Sequence, residues 1–248
     1  MKLKEQLILL ADKYETPSFC DEDPSQFLRW YKKGQVNIEL ASFIAAMLAF
    51  GNRKQFIPKI QIILETADNS CGNISSWLKN AAYKNDFPSC SKKYYRFYSY
   101  DDLQIFFEEL AEIINSSKSL GQYFKNQWDK NPQVHLADII SQSFPKSSIV
   151  PKGKSSANKR IHMFLRWMVR QNSPVDLGLW SWYPAASLLV PLDVHVMQEG
   201  QKLGLLPEKA AASRKMAVEL TKKMEEIFPG DPARGDYALF GLGVDQGF

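Results

Sequence analysis

The residue types that could do covalent chemistry lie in one stretch of this chain, residues 152–205, and two of them stand out. Lys159 lies near the start of a predicted helix in a basic segment, and Asp193 stands directly before another predicted helix. A neutral lysine amine is a nucleophile toward an electrophilic sugar or carbonyl carbon. An aspartate at a helix N-cap accepts backbone N–H bonds and stays ionised at neutral pH. One residue could therefore supply a nucleophile and the other a fixed negative charge.

Both residues also have an ordinary structural explanation. The helix predicted over residues 157–170 has an apolar stripe formed by Ile161, Phe164, Leu165 and Met168. Counting ~100° per residue, Lys159 falls on the opposite face, one turn inside the helix start. That face also holds Met163, Arg166 and Arg170. Periodicity alone would make Lys159 a solvated lysine on a basic face, and Asp193 could be a plain helix cap.

A resemblance to a known family favours the chemical explanation. The segment Pro191-Leu192-Asp193-Val194-His195 is similar to the (V/P)-x-D-x-H segment of helix-hairpin-helix DNA glycosylases, especially the 8-oxoguanine glycosylases. Ser156-Ala157-Asn158-Lys159, with the helix after it, resembles the second half of that superfamily's hairpin element. Residues 236–243 resemble its closing helix of small residues. The chain as a whole looks like a bacterial family within this superfamily, nearest the archaeal 8-oxoguanine glycosylases.

The resemblance implies a bifunctional DNA N-glycosylase and AP lyase that excises an oxidised purine, with 8-oxoguanine as the expected lesion. Lys159 matches the nucleophile that attacks the sugar C1′ and forms a Schiff base, and Asp193 matches the invariant catalytic carboxylate. The damaged base would be flipped out of double-stranded DNA. The polar turn at Asn52, with Arg53 and Lys54, would fill or probe the gap. Such an enzyme needs no metal and no cofactor.

The predicted hairpin departs from the usual LPGVG sequence of the superfamily. It is Val150-Pro151-Lys152-Gly153-Lys154-Ser155-Ser156, with one glycine. Lys152, Lys154 and Ser156 are therefore expected to bind phosphate through side chains as well as backbone. The connection from Lys159 to Asp193 is also longer than in the eukaryotic-type enzymes, and resembles the archaeal ones.

Several further residues are candidates for contact with a flipped base or with DNA. Trp180 and Trp182 lie in the long connection before Asp193, and either ring could stack on the base or belong to the core. Phe248 is a weaker candidate of the same kind. His195 could approach the DNA backbone or simply lie on the helix surface.

The elements that must position these residues are predicted to be helices. The predicted helices cover residues 1–14, 38–50, 55–66, 74–82, 102–114, 120–128, 134–144, 157–170, 193–203, 208–227 and 236–242. Gly51 would end the second helix, Pro58 would lie in the first turn of the third, and Asp101 would cap the fifth. We find no strand alternation and no repeat. The sequence therefore predicts an all-α, two-lobed fold with a cleft between a middle lobe, residues 30–133, and a second lobe, residues 1–29 and 134–248.

The charge pattern is compatible with a polyanionic partner without requiring one. Among 248 residues, 45% are hydrophobic, 23% are charged, and the formal net charge is +4, which is ordinary for a globular protein. Residues 146–170 contain seven lysines and arginines and no acid, and residues 92–96 mix lysine, arginine and tyrosine. Such mixing suits phosphate contact with base stacking. Each segment could also be plain solvated surface.

Cysteine and histidine usage excludes the common metal sites. The three cysteines and three histidines show neither CxxC nor HExxH spacing, and no cysteine follows Cys90, so a C-terminal iron–sulfur motif is absent. No run of 18 apolar residues exists, and the N-terminus lacks a signal peptide. We therefore expect free thiols and a cytoplasmic, nucleoid-associated monomer without a membrane or an obligate protein partner.

Three other functions stay open at this point. The chain could be a monofunctional glycosylase in which Asp193 activates water and Lys159 only binds phosphate. It could be a non-catalytic DNA-binding protein on the same scaffold, which would not require Asp193. It could also be a helical interaction protein that does not bind DNA, in which case no salt-dependent DNA binding would be found.

Overall fold

The computed structural model describes residues 2–245 and shows a predominantly helical protein, as predicted. The chain divides into two compact units, residues 1–21 with 152–248 as unit 1 and residues 22–151 as unit 2. These boundaries differ from the predicted lobe boundaries, because residues 22–29 and 134–151 belong to unit 2. No described helix is both long and apolar enough to cross a membrane. Phe248 lies outside the described residues.

Within the described residues, unit 1 is built from five α-helices. They are α1 (Leu3–Tyr14), α10 (Lys159–Val169), α11 (Val194–Lys202), α12 (Arg214–Ile227) and α13 (Gly235–Asp245), with short 3-10 turns at Pro17–Cys20, Ala185–Ser187 and Pro232–Arg234. Unit 2 contains the remaining helices and one small sheet. They are α2 (Gln26–Trp30), α3 (Gln35–Leu48), α4 (Arg53–Cys71), α5 (Ile74–Lys79), α6 (Tyr83–Asp86), β1 (Lys93–Tyr95), β2 (Tyr98–Ser99), α7 (Tyr100–Ser116), α8 (Leu120–Lys130) and α9 (Leu136–Gln142).

The core of unit 1 forms where α13 packs against α1 and α11. Small residues on α13 permit this close approach. A Cβ added at Gly241 would overlap the Tyr14 ring of α1, and one added at Gly235 would overlap Met224 of α12. Leu7, Val196 and Leu220, from three other helices, are fully buried in the same cluster. The closing helix is therefore rich in glycine and alanine because its neighbours occupy the space that larger side chains would need.

The core of unit 2 surrounds α3, which is buried on almost every side. Phe43 of α3 stacks on Phe106 and Phe144, with ring centroids 6.0 and 5.1 Å away. The buried carboxylate of Glu39, on the same helix, accepts hydrogen bonds from the Gly121 N–H (2.9 Å) and the Gln35 side chain (3.0 Å). This continuous burial explains why most of the segment is apolar, and why its one acid is held by a partner within the helix and by another, the Gly121 N–H, from outside it.

Three local predictions for unit 2 were wrong. Residues 93–99 form an antiparallel β-hairpin, in which Tyr95 pairs with Tyr98, whereas no strand was predicted. Strands this short give too few positions for alternation to be detected. Ser99, rather than Asp101, caps α7, because its side chain accepts from the Asp102 N–H. The fourth helix begins at Arg53, which places Pro58 in its second turn instead of its first.

The turn that begins α4 leaves no room for a side chain at Gly51. Gly51 has φ +81°, and a Cβ there would overlap the Arg96 guanidinium and lie 2.9 Å from the Tyr95 hydroxyl. Gly72, at the other end of α4, has φ +77° but nothing within 4 Å. Gly51→Ala should therefore lower the free energy of unfolding by about 1 kcal/mol more than Gly72→Ala, which has only the backbone cost. Urea denaturation of both variants measures the difference, and equal losses would contradict the close contact.

Candidate active site

Unit 1 brings Lys159 and Asp193 into direct contact. Lys159 Nζ lies 3.2 Å from Asp193 Oδ2, and their side chains are 29% and 22% exposed. The aromatic ring of Phe240, on α13, lies 5.9 Å from the same Nζ atom. The two residues that sequence analysis selected for chemistry therefore form one ion pair, partly open to solvent and next to an aromatic ring.

The backbone before α10 fixes the position of Lys159. Lys159 is the first residue of α10, so its predicted position one turn inside the helix was wrong. Asn158 precedes it in the left-handed conformation, with φ 44° and ψ 41°. Its side-chain N–H donates to the Gly153 carbonyl (3.2 Å), which holds this uncommon turn in place. Lys159 therefore projects from a helix terminus that is tied to the preceding loop.

The two carboxylate oxygens of Asp193 have different partners. Oδ1 accepts a hydrogen bond from the Val196 N–H (2.9 Å) and caps α11, as predicted, while Oδ2 faces Lys159. Burial would raise the pKa of Asp193, but the Lys159 ammonium and the Val196 N–H outweigh it, so the pKa lies below its ordinary value. Asp193 is therefore ionised at neutral pH, and the helix cap fixes its orientation.

A network of buried ion pairs lies along α10. Arg166 pairs with Asp176 and Asp236, and its guanidinium lies 4.1 Å from the Tyr237 ring centroid. Arg170 binds Asp231 with two hydrogen bonds (2.7 and 2.8 Å). The same Arg170 lies 2.5 Å from Asp176 and 2.8 Å from Glu15.

These ion pairs show that the predicted basic face of α10 is mostly not open to solvent. Arg166 and Arg170 are 7% and 2% exposed, and Met163 is 5% exposed, so beyond Lys159 the face opposite the apolar stripe is buried too. Asp176 comes from the loop after α10, and the other carboxylate partners, Glu15, Asp231 and Asp236, come from residues distant in sequence, which periodicity cannot reveal. Neither arginine is available to a polyanion, and the exposed part of the basic segment lies before α10.

Asp236 is a further acid near the ion pair that sequence analysis did not select. It lies in the first turn of α13 and is 5% exposed. Burial raises the pKa of Asp236 to about 6, with Asp193 and Asp176 adding to the rise and Arg166 and Lys159 opposing it. The available signal was a single acid in the otherwise small and apolar segment Asp236-Tyr237-Ala238-Leu239-Phe240.

The raised pKa of Asp236 predicts a pH-dependent contribution to stability. Between about pH 4 and 6 the folded chain holds a proton that an unfolded aspartate, with pKa about 3.9, has lost. This contribution is complete below pH 4 and decreases by roughly 2–3 kcal/mol as the pH rises through 6. Asp236→Asn should lack this component when urea unfolding is measured from pH 4 to pH 8. Parallel pH curves for the two proteins would show that Asp236 keeps an ordinary pKa.

The loop before α10 exposes the residues that were predicted to bind phosphate. Lys152, Lys154 and Ser156 are exposed, and Gly153 has φ 105°, in the region that favours glycine. The Ser155 carbonyl accepts from the Arg214 N–H (2.9 Å), which anchors the loop to the start of α12. The loop could therefore present two ammonium groups and a hydroxyl to an anion beside Lys159, and phosphate binding by it stays a prediction.

The aromatic and histidine candidates differ in exposure. Trp180 is 1% exposed and packs edge-on against Phe164 of α10, at 5.2 Å between ring centroids, which favours its core explanation. Trp182 is partly exposed and stacks on Trp180 at 5.6 Å. His195, two residues after Asp193, is exposed. Of the two tryptophans, Trp182 has the surface that a base would need.

The predicted probing turn belongs to unit 2. Asn52 is exposed and caps α4, its side chain accepting from the Lys54 N–H (2.9 Å). Lys54 is exposed, and Arg53 lies 3.9 Å from Asp23. Asn52 therefore has a structural role as a helix cap, and its contact with DNA stays a prediction.

Among the described residues, a metal cluster is absent and a cavity lies away from the ion pair. Within residues 2–245, no group of three or more histidine, cysteine or acidic side chains is arranged to hold a metal ion. A cavity of about 720 Å³ opens at the far end of α10, beside Arg170, Asp231 and Arg234. Lys159 and Asp193 do not line it, and both its arginines are already paired with carboxylates.

Comparison with known protein families gives a match, and the matched residues include this site. A family model described as "Protein of unknown function (DUF2400)" matches residues 23–245. No curated protein and no solved structure matches the chain. The matched range includes Asn52, Lys159, Asp193 and Asp236, so the function must be argued from these residues themselves.

Proposed function

We propose that this chain, which belongs to the DUF2400 family, is a bifunctional DNA N-glycosylase and AP lyase that excises an oxidised purine, with 8-oxoguanine as the expected lesion. The observation that carries the proposal is the 3.2 Å pair of Lys159 Nζ and Asp193 Oδ2 at two helix starts. A primary amine and an ionised carboxylate in contact are the groups that Schiff-base chemistry at a sugar carbon requires. The resemblance of both segments to helix-hairpin-helix glycosylases supports the same assignment.

The chemistry begins with the loss of a proton from the Lys159 ammonium group. Asp193 Oδ2 lies within reach to accept that proton. The neutral amine then attacks C1′ of the damaged nucleotide, the C1′–N9 bond breaks with its electron pair leaving on the base, and the base takes up the proton that Asp193 accepted, which leaves Asp193 ionised again. Asp193, ionised and fixed by its cap to Val196, stabilises the positive charge that develops on the sugar.

The lyase step uses the same lysine amine, which is now bonded to C1′. The C1′–O4′ bond of the sugar then breaks, O4′ takes up the proton that the attached amine loses, and an iminium, the protonated Schiff base, joins Lys159 to C1′. Loss of a proton from C2′ then expels the 3′ phosphate oxygen by β-elimination, and the strand is cut. Each step uses only the lysine, a carboxylate and water.

Surface residues around the ion pair support a DNA substrate. Lys152 and Lys154 are exposed in the loop that leads into Lys159, and His195 is exposed just after Asp193. Lysine cations in the loop that leads to the nucleophile suit the phosphates that flank a nucleotide. We propose that this loop holds the DNA backbone and that the flipped base contacts Phe240, whose ring lies near the amine, while contact of the base with Trp182 stays a prediction.

The proposal is tested with duplex DNA that carries a single 8-oxoguanine. Incubation should release the base and cut the strand, and borohydride should reduce the iminium and leave a covalent protein–DNA band. A band with an abasic site alone would keep the lyase chemistry and exclude this lesion. Base release without a band would favour the monofunctional enzyme, and no reaction with any lesion would favour a binding protein.

A further inference from the structure

The structure joins two basic segments of unit 2 that are distant in sequence. The Tyr95 hydroxyl donates to the Phe50 carbonyl (2.5 Å), and the Tyr94 hydroxyl donates to the Lys59 carbonyl (2.6 Å). These bonds fasten the β1–β2 hairpin to the turn that begins α4. Residues 50–54 and 92–97 therefore form one continuous surface, which we call the hairpin surface.

The tip of the hairpin presents an aromatic ring that is held in place but largely open. Phe97 is 59% exposed. Its ring packs against Phe50 and Tyr98, with centroids 5.1 and 4.6 Å away, so one side is supported by other rings. Arg96 precedes it with φ 50°, and its guanidinium lies 5.7 Å from the Phe50 ring. Stacking a ligand on Phe97 would require little further ordering of the side chain.

The charge around this ring is positive. The cations in the two segments and the adjoining turn of α4 are Arg53, Lys54, Lys59, Lys92, Lys93 and Arg96. The sequence has no acid between Glu39 and Glu65, nor between Asp86 and Asp101. Two acids reach this surface from elsewhere, since Asp23 lies 3.9 Å from Arg53, and Lys93 helps to lower the pKa of Asp102. A supported aromatic ring among cations suits a ligand with flat bases joined by phosphates.

We propose that the hairpin surface binds an unpaired nucleobase in DNA, with Phe97 stacked on the base and with Arg96 and Lys54 against the flanking phosphates. The proposal rests on the proposed function for its DNA partner, but it requires no base excision. The Lys159–Asp193 pair lies in unit 1 and the hairpin surface in unit 2, so the two sites can be disabled separately.

The test compares the affinity of the full chain for two undamaged duplexes, one fully paired and one with a single extrahelical base. The wild-type chain should bind the second duplex about 10-fold more tightly, a factor typical of one base–aromatic stack. Phe97→Leu keeps the apolar packing but removes the aromatic face, so it should abolish the preference, whereas Phe97→Tyr should keep it. Ile62→Ala is the matched control, because Ile62 is also exposed, at 44%, on α4 of the same unit.

The outcomes separate this proposal from the proposed function. Equal binding of the two duplexes by the wild-type chain, or a preference unchanged in Phe97→Leu, would overturn the hairpin surface as a base-binding site. Either result could accompany normal excision of 8-oxoguanine. Conversely, a Phe97-dependent preference in a chain that releases no base would support this surface while the glycosylase proposal fails. A chain that binds neither duplex would also overturn the hairpin surface, and the excision assay with 8-oxoguanine would decide the glycosylase proposal separately.

Discussion

Lys159→Gln should eliminate the covalent adduct that borohydride traps with duplex DNA containing 8-oxoguanine or an abasic site. Glutamine keeps much of the length of the lysine side chain but has no amine to form an iminium, so no reducible bond can form. Base release should also fall by at least about 1000-fold, because removing a nucleophile that acts as part of a unit costs several orders of magnitude. Gel analysis of the reduced reaction measures the adduct, and single-turnover kinetics measure base release.

Loss of folding does not explain such a result. The Lys159–Asp193 pair is partly exposed, so breaking it should change the free energy of unfolding by about 1 kcal/mol or less. Lys154→Gln is the matched control, since Lys154 is an exposed lysine in the loop before α10. It should weaken DNA binding modestly and leave the adduct intact. Full adduct yield from the Lys159 variant would assign the Schiff base to another amine and remove the main support for the proposed chemistry.

The sequence was sufficient to find the candidate pair because both residues depend on local signals. Asp193 follows Pro191-Leu192 and precedes an amphipathic helix, and such N-cap patterns need only neighbouring residues. Lys159 was found through the basic loop and the apolar stripe that follows it. Their contact at 3.2 Å could not be derived from periodicity, because 33 intervening residues have no regular spacing that fixes a distance. The resemblance to glycosylases, rather than pattern alone, paired them.

The features that sequence analysis missed depend on contacts between distant residues. Arg166 and Arg170 were predicted on an open basic face, yet acids from residues 15, 176, 231 and 236 surround them. A charged side chain is buried at acceptable cost only when opposite charges contact it. The sequence of one helix does not reveal those partners. The raised pKa of Asp236 has the same origin. The hairpin at Phe97 was missed because its strands are too short to show alternation.

The buried ion pairs also bear on how the reacting groups are held. Arg166 lies two turns along α10 from Lys159, and its pairing with Asp236 links that helix to α13, which carries Phe240 beside the amine. When the other charged side chains of a helix are held by ion pairs, the helix moves little, and a nucleophile on it keeps its orientation. The ion-pair network therefore supports the helix that carries Lys159, although none of its residues touches a reacting atom.

Asp193→Asn should reduce base excision by a factor on the order of 10²–10³, the usual loss when a preorganised electrostatic group is removed. Asparagine caps helices about as well as aspartate, so the hydrogen bond from the Val196 N–H and the start of α11 should persist. The amide carries no charge, so it can neither accept the Lys159 proton nor stabilise a positive sugar. Single-turnover excision of 8-oxoguanine, with thermal melting as a folding control, measures the effect.

The lyase reaction on a preformed abasic site distinguishes the two roles of this carboxylate. That substrate has already lost its base, so Lys159 can form the iminium without a charged sugar intermediate. Asp193→Asn should therefore retain a larger fraction of adduct formation on an abasic site than of excision on 8-oxoguanine. Equal losses on both substrates would assign Asp193 chiefly to deprotonation of Lys159. Unchanged excision would mean that the aspartate is only a helix cap, and the proposed glycosylase mechanism would then lack its essential acid group.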